Sequence, residues 1–340
     1  MRSFERRTLT RTTLGVIAAL SLLAAAGCGS DDPESSATDA PSASIADTTT
    51  DTTTDTTPGG SEPTGSAPGD TAPGDDAAGD VPQRVVSLSP THTEIMFAIG
   101  AGDQLVAVDD FSNYPPEALE LPHDLSGYEP SVEAIAEYEP DLVLIGGDFN
   151  GLGAQLDEID VPWWDGPAAM TLDDTYAQIE QLGAATGHVA EAAELVARMQ
   201  TDIEQIVADT PVPEEPLTLY HELDSSFFSA DSTTFIGELY GLLGLRNIAD
   251  QAEGNSGGYP QLNAEFIVSA DPDLIFLADT ICCGETPETL AARPGWDAIA
   301  AVQNGNVIPM SDDLASRWGP RVVDYLAAAS AAVAKAAVPA

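Results

Sequence analysis

The segment EAIAEYEPDLVLI, residues 133–145, recurs in pattern 132 residues later as EFIVSADPDLIFL, residues 265–277. Each copy predicts a short helix, a break at X-Pro-Asp, and an apolar strand rich in β-branched residues. Such a continuous apolar strand is typical of the centre of a parallel sheet. Two copies of the pattern predict two α/β lobes of similar design.

The sequence on either side of each copy predicts the rest of the two lobes. Val85–Leu88 predicts a buried strand followed by a helix start, in which Thr91 and Glu94 have capping-box spacing. Residues 188–209 lack Gly and Pro and place apolar residues at helical spacing, which predicts one long helix. Residues 217–220 predict the first strand of the second lobe. We therefore predict an α/β fold with two Rossmann-like lobes, parallel sheets, one long spanning helix, and a ligand cleft between the lobes at the carboxyl ends of the strands.

The N-terminal region predicts export and lipid attachment. Residues 1–27 combine four arginines with an apolar run too short to span a bilayer, which predicts a lipoprotein signal peptide. The run ends in Ala25-Ala26-Gly27-Cys28, which resembles a bacterial lipobox, so Cys28 is the expected lipidation site. A cleaved secretory protein with a free Cys28 is the alternative. Both the Sec and the twin-arginine export routes stay open.

The remaining chain divides into a tether and three folded segments. Residues 28–82 are almost wholly Asp, Thr, Ser, Pro, Gly and Ala, which predicts a lipidated, disordered tether because such a composition buries too little apolar surface to fold. We predict an N-terminal lobe over residues 83–187, an interlobe helix over 188–210 and a C-terminal lobe over 211–340.

The chain is strongly acidic, with 11 Lys and Arg residues against 56 Asp and Glu residues and a formal net charge of −45. Such a chain repels nucleic acid and anionic lipid surfaces, so neither is an expected partner. The positive residues beyond residue 30 are Arg84, Arg198, Arg246, Arg293, Arg317, Arg321 and Lys335. This short list favours a ligand of low negative charge.

The order of several motifs carries a family resemblance. These motifs are Arg84-Val85-Val86-Ser87-Leu88-Ser89-Pro90, Ser112-Asn113-Tyr114-Pro115-Pro116-Glu117, residues 128–145, Gly244-Leu245-Arg246-Asn247-Ile248, Tyr259-Pro260-Gln261 and Gly319-Pro320-Arg321. Together they resemble the vitamin B12 and ferric-siderophore class (class III) of periplasmic solute-binding proteins of ABC importers. The motif at residues 112–116 most resembles the cobalamin-binding branch. The resemblance implies a binding protein rather than an enzyme.

The same resemblance implies a set of ligand-binding residues at strand ends. The candidates are Pro90, Phe111, Tyr114, Tyr128, His221, Phe228, Tyr259, Arg317 and Trp318. Where the cobalamin branch has a tryptophan, this chain has Gly127 next to Tyr128. Rigid aromatic faces suit a flat amphipathic macrocycle, so we predict a cobalamin-like corrinoid, with a ferric siderophore or haem as the alternative.

The resemblance also implies docking on a permease through one glutamate of each lobe. The matching residues are Glu133 and Glu265, which hold equivalent places in the repeat. We therefore expect an ABC permease and its ATPase as partners, a monomeric protein, and a lipid anchor in the outer face of the cytoplasmic membrane as the only membrane contact.

The sequence also allows predictions about a disulfide, a metal site and catalysis. Adjacent cysteines in an exported chain favour a vicinal disulfide between Cys282 and Cys283, with free thiols, a redox role or a metal role as alternatives. The run His221-Glu222-Leu223-Asp224 has no zinc-motif spacing, so we expect no metal and no cofactor. The sequence contains no nucleophile elbow and no phosphate loop, so a hydrolase is only a distant alternative. A surface lipoprotein that works without a transporter is a second distant alternative.

Overall fold

The structure is a computed structural model that describes residues 81–252 and 257–337. The predicted signal peptide, the predicted lipidation site Cys28 and nearly all of the predicted tether lie outside the described residues. Within the described ranges, none of the helices is both long and apolar enough to cross a membrane.

The first lobe is built on one parallel sheet. Its strands are β1 (Val85–Leu88), β2 (Leu105–Val108), β3 (Leu142–Ile145) and β4 (Trp163–Asp165). They lie in the order β2-β1-β3-β4. The helices are α1 (Pro90–Ala98), α2 (Val132–Ala136), α3 (Leu152–Asp157) and α4 (Leu172–Thr186), with 3-10 turns at Gly102–Gln104 and Pro116–Glu120. All four residues of β1 and of β3 are buried, as expected for central strands covered on both faces.

A single helix, α5 (Val189–Asp209), leads to the second lobe. The strands of that lobe are β5 (Thr218–Glu222), β6 (Arg246–Asn247), β7 (Leu274–Leu277) and β8 (Val307–Pro309). They lie in the order β6-β5-β7-β8, the arrangement of the first sheet repeated. The helices are α6 (Phe235–Leu242), α7 (Ala264–Ala270), α8 (Pro287–Ala291), α9 (Ala300–Gln303), α10 (Asp312–Ser316) and α11 (Val322–Ala336), with 3-10 turns at Ile248–Gln251 and Trp296–Ala298.

The prediction of a two-lobed α/β fold with parallel sheets and a long joining helix is confirmed. Both copies of the repeated pattern form the predicted unit, α2 with β3 and α7 with β7. The start of α1 differs from its prediction, since the N-cap is Ser89 and Pro90 is the first helical residue. Proline suits that position because it has no N–H to satisfy and its φ is already helical. Thr91 and Glu94 therefore lie inside the helix and form no capping box.

One apolar cluster runs through both lobes and the helix between them. It includes Val85 and Ile95 of the first lobe, Met199 of α5, and Leu219 and Tyr325 of the second lobe. Two further clusters each belong to one lobe. Because the largest cluster is common to both lobes, the lobes are held by buried apolar contacts as well as by the chain connection.

Candidate functional site: a cavity at the carboxyl end of the first sheet

A cavity of about 470 Å³ lies at the carboxyl ends of the first lobe's strands. Its walls come from the segments that follow β1, β2 and β3, and from residues 313–318 of the second lobe. Loops at the carboxyl edge of a parallel sheet are free to vary, which is why ligand sites of α/β proteins form there. The first lobe therefore provides most of the cavity, and the second lobe provides one wall.

Four aromatic side chains line the cavity: Phe111, Tyr128, Phe149 and Trp318. The rings of Phe111 and Tyr128 meet edge to face, with centroids 5.4 Å apart. Tyr128 is 74% exposed and Phe149 is 85% exposed, so both rings present apolar area to solvent. Large exposed rings around a concavity are typical of a ligand site, because binding removes that apolar area from water.

Gly127 forms part of the cavity wall and has no room for a side chain. A Cβ atom on Gly127 would lie 2.7 Å from Oδ2 of Asp109 and 3.2 Å from the carbonyl oxygen of Leu88. The aromatic ring next to this position is therefore supplied by Tyr128.

The acidic groups of the cavity wall are Asp109, Asp148 and Asp313. Asp109 is buried and accepts a hydrogen bond from the hydroxyl of Ser112. Burial disfavours the charged form and raises the pKa of Asp109 to about 6. The hydroxyl of Thr93 lies 2.8 Å from that of Ser112, which ties the loop after β2 to helix α1.

Arg317 also lies in the wall, but its charge is already neutralised. Its Nη1 donates to Oε1 of Glu94 at 2.7 Å, and its Nη2 donates to Oδ1 of Asp313 at 2.8 Å. Further bonds go to Oδ1 of Asn113 and to the carbonyl oxygen of Phe111, both at 2.9 Å. The guanidinium is therefore used to join the lobes and is not free to bind an anionic ligand.

Glu94 also forms an ion pair with Arg321, another arginine of the second lobe. Arg321 donates from Nε to Oε2 at 2.8 Å and from Nη2 to Oε1 at 2.6 Å. The side chain of Glu94 is 2% exposed and that of Arg317 is 6% exposed. We call Glu94, Arg317 and Arg321 the Glu94 latch, since these three side chains link α1 of the first lobe to the segment between α10 and α11 of the second.

Five of the nine predicted ligand-binding residues line the cavity. They are Pro90, Phe111, Tyr128, Arg317 and Trp318. Tyr114 does not, because its ring lies 4.2 Å from the guanidinium carbon of Arg321 and covers the latch. Phe228 and Tyr259 are 37% and 43% exposed but lie outside the cavity wall.

His221 also lies outside the cavity wall. It is fully buried, and its Nδ1 lies 2.9 Å from the hydroxyl of Tyr240 in α6. Burial lowers its pKa to about 4. Side chains alternate along a strand, so His221 points to the face of β5 opposite to that of Tyr220 and Glu222, into the core.

The acidic and aromatic residues of the wall that were not among the predicted ligand-binding residues are Asp109, Asp148, Phe149 and Asp313. Asp109 follows β2 directly, and Asp148 and Phe149 lie in the loop after β3, so their position after a strand was the available signal. Asp313 lies in a helix of the second lobe and had no such signal.

The two glutamates predicted to dock on a permease occupy equivalent places in the structure. Glu133 is the second residue of α2, and Glu265 is the second residue of α7. Both side chains are exposed. The side chain of Ser131 caps the N-terminus of α2, and that of Asn263 caps the N-terminus of α7. A helix that connects two parallel strands runs antiparallel to them, so each glutamate lies at the carboxyl edge of its own sheet.

The structure places the sulfur atoms of Cys282 and Cys283 against each other, as a vicinal disulfide requires. We expect the intact mass of the exported protein to be lower by two hydrogen atoms than that of the reduced protein, because formation of the disulfide removes both thiol hydrogens. Mass spectrometry before and after reduction measures this difference. Equal masses, together with alkylation of both cysteines without reductant, would show free thiols instead.

A family model described as "Periplasmic binding protein" matches residues 85–314 of this chain. The chain is 30% identical over 253 residues to the uncharacterized ABC transporter substrate-binding lipoprotein YvrC of Bacillus subtilis, over 72% of this chain and 77% of that protein. It is also 30% identical over 256 residues to the cobalamin-binding protein of Halobacterium salinarum, over 72% of this chain and 68% of that protein.

Among solved structures, the fold is similar to that of the periplasmic haem-binding protein RhuT from Roseiflexus sp. RS-1 in its apo form. The TM-score is 0.67 at 24% sequence identity, over 75% of this chain and 99% of that chain. At this identity the likeness concerns the fold alone.

Proposed function

Because this chain belongs to the periplasmic binding protein family, we propose that it captures a cobalamin-like corrinoid for an ABC importer and delivers it to the permease. The observation that carries the choice of ligand is the cavity wall, which combines four aromatic rings with no unpaired arginine or lysine. The relative from Halobacterium salinarum that is named a cobalamin-binding protein supports the same choice.

The charges around the cavity favour a corrinoid over an iron complex. Asp109 and Asp148 lie in the wall, whereas the charges of Glu94 and Asp313 and those of Arg317 and Arg321 balance one another. The two propionates of haem and the anionic groups of many ferric siderophores would be repelled there. A corrinoid carries neutral amide arms, which can accept and donate hydrogen bonds along an acidic wall.

The size of the cavity determines how a corrinoid would be held. A volume of about 470 Å³ takes only part of so large a macrocycle. The rest of the ligand would lie across the mouth of the cavity, against the exposed rings of Tyr128 and Phe149. This placement accounts for two large apolar side chains that otherwise remain in water.

We propose further that the chain is exported, attached to the membrane through Cys28, and active by binding rather than by catalysis. The similarity to YvrC, which is named a lipoprotein, supports the attachment. Membership of a family of solute-binding proteins supports a function in binding rather than in catalysis.

The test is a titration of the purified protein with cyanocobalamin, followed by calorimetry and by quenching of tryptophan fluorescence, to which Trp318 in the cavity wall contributes. We expect one ligand per protein with submicromolar affinity. Haem and ferric desferrioxamine are titrated in the same way. Absence of heat and quenching with cyanocobalamin, together with binding of either iron complex, would overturn the corrinoid proposal.

A pair of variants locates the bound ligand. We expect Phe111→Ala and Phe149→Ala each to weaken cyanocobalamin binding about tenfold or more, because burial of a phenyl ring contributes roughly 1.5–3 kcal/mol. Leu119→Ala, which removes an exposed apolar side chain outside the cavity, is the control and should leave the affinity unchanged. Wild-type affinity in both phenylalanine variants would place the ligand elsewhere.

A further inference from the structure

A second cluster of charged groups lies at the carboxyl end of the second sheet, apart from the cavity. In the part of the chain that the structure describes, Glu222, Asp279 and Glu285 bring one carboxylate oxygen each to within 4.8 Å of the others. Glu222 ends β5, Asp279 follows β7, and Glu285 precedes α8. Because β5 and β7 are neighbours in the sheet, their ends bring the first two carboxylates together.

Asp279 is the residue that distinguishes this cluster from an ordinary acidic surface. It is 0% exposed, and no group of residues 81–252 or 257–337 forms a hydrogen bond with either of its carboxylate oxygens. A buried carboxylate stays ionised at neutral pH only when a counter-charge, hydrogen-bond donors or a metal ion compensates for the loss of water. To stay ionised, Asp279 therefore needs a partner that the described part of the chain does not supply.

The one arginine in the cluster does not fill this role. Arg293 donates to both oxygens of Glu222, at 2.7 and 2.6 Å, and lies 3.1 Å from Oε1 of Glu285. Three carboxylates and one guanidinium leave two negative charges without compensation. Burial and the charges of Glu222 and Glu285 raise the pKa of Asp279 to about 7, which reflects the same shortage of positive charge.

We propose that Glu222, Asp279 and Glu285 form a binding site for a divalent cation of the hard, oxygen-preferring kind, such as Ca²⁺. Such an ion supplies two positive charges, equal to the charge that the cluster lacks. A carboxylate has about four lone-pair sites, and the two bonds from Arg293 use two of those on Glu222, so the pair with arginine does not prevent coordination. Within the described ranges, carboxylate oxygens are the only ligand atoms of the cluster, which argues against zinc or copper.

The ion would brace the loop that contains the adjacent cysteines. The loop runs from Asp279, after β7, to Glu285, before α8, and both ends would coordinate the same ion as Glu222. Cys282 and Cys283 are exposed between these ends. From the sequence we expected no metal, because the run His221-Glu222-Leu223-Asp224 has no zinc-motif spacing. The three carboxylates of the cluster come from separate segments, so no sequence motif joins them.

The first test measures thermal unfolding of the purified full-length protein after treatment with EDTA. We expect Ca²⁺ at 1 mM to raise Tm by about 4 °C or more, since an ion that binds only the folded state stabilises it. Sodium chloride at the same ionic strength accounts for general screening of this acidic chain. A wild-type protein whose Tm responds to CaCl₂, MgCl₂ and MnCl₂ no more than to sodium chloride would overturn the proposal.

Variants separate this site from the many other carboxylates. We expect Asp279→Asn to raise the Tm of the metal-free protein, because it removes an uncompensated charge, and to abolish the response to Ca²⁺. Glu285→Gln should weaken the response, whereas Glu288→Gln, which changes an exposed carboxylate of α8, should retain it. A full Ca²⁺ response in Asp279→Asn would place the ion elsewhere and overturn the proposal.

A luminescent probe reports on the site directly. Trp296 is buried, and its ring lies 4.6 Å from the guanidinium carbon of Arg293. We expect Tb³⁺ bound at the cluster to emit on excitation of tryptophan, and Ca²⁺ to displace it. Loss of this emission in Asp279→Asn but not in Glu288→Gln supports the site, and equal emission in both variants contradicts it.

Discussion

Replacement of Glu133 and Glu265 together by alanine is expected to reduce corrinoid uptake to background while leaving the affinity for the ligand unchanged. Both side chains are exposed at the start of equivalent helices, one in each lobe, and neither lines the cavity. Exposed carboxylates keep their hydration and hold a partner's arginines through contacts that can be released again. Uptake by cells that contain the permease, and calorimetry on the purified variant, measure the two effects separately.

The single variants and a matched control sharpen this result. We expect Glu133→Ala and Glu265→Ala each to give an intermediate loss of uptake, because one lobe would still dock. The control is Glu137→Ala with Glu288→Ala, which removes two exposed glutamates from the same lobes and so the same charge. Uptake at the wild-type rate in the Glu133 and Glu265 double variant would refute the docking assignment, and an equal loss in the control would reduce it to an effect of net charge.

Replacement of Glu94 by glutamine is expected to lower the free energy of unfolding by about 3–5 kcal/mol, because it leaves two arginines without their buried counter-charge. Arg317 would keep Asp313, and Arg321 would keep the ring of Tyr114, but the carboxylate that serves both guanidinium groups would be gone. Urea unfolding followed by tryptophan fluorescence measures the change.

The chain offers a matched control for this variant. Glu194 lies 3.9 Å from Arg198 on α5, and both side chains are more than half exposed. Glu194→Gln should change the free energy of unfolding by less than about 0.5 kcal/mol, since exposed ion pairs contribute little. A loss below about 1 kcal/mol in Glu94→Gln would show that the latch is not a main link between the lobes.

The sequence predicted the fold well because the fold depends on local patterns. The repeated segment, the helix between the lobes and the strand at Val85–Leu88 each carry their own signal of periodicity and punctuation, and each is present in the structure. The sequence also predicted the first lobe's part of the cavity, since residues after its parallel strands meet at one edge of the sheet. The residues predicted for the second lobe at this cleft, such as His221 and Phe228, do not line the cavity.

The interactions of particular side chains could not be predicted in the same way. Whether His221 faces the core or the cleft depends on which face of β5 packs on α6. The charge of Arg317 is balanced by Glu94, which lies 223 residues earlier in the chain. Only the folded chain brings such partners together, so an arginine that looks available for a ligand in the sequence is already paired in the structure.

The apolar cluster common to both lobes has a consequence for the rates of binding and release. A protein whose lobes are fixed to each other keeps its cavity formed before the ligand arrives, so association should be a single step whose observed rate rises linearly with ligand concentration. Because its lobes do not move apart, such a protein does not open its cavity to release the ligand. The free energy that removes the ligand then has to come from binding to the permease.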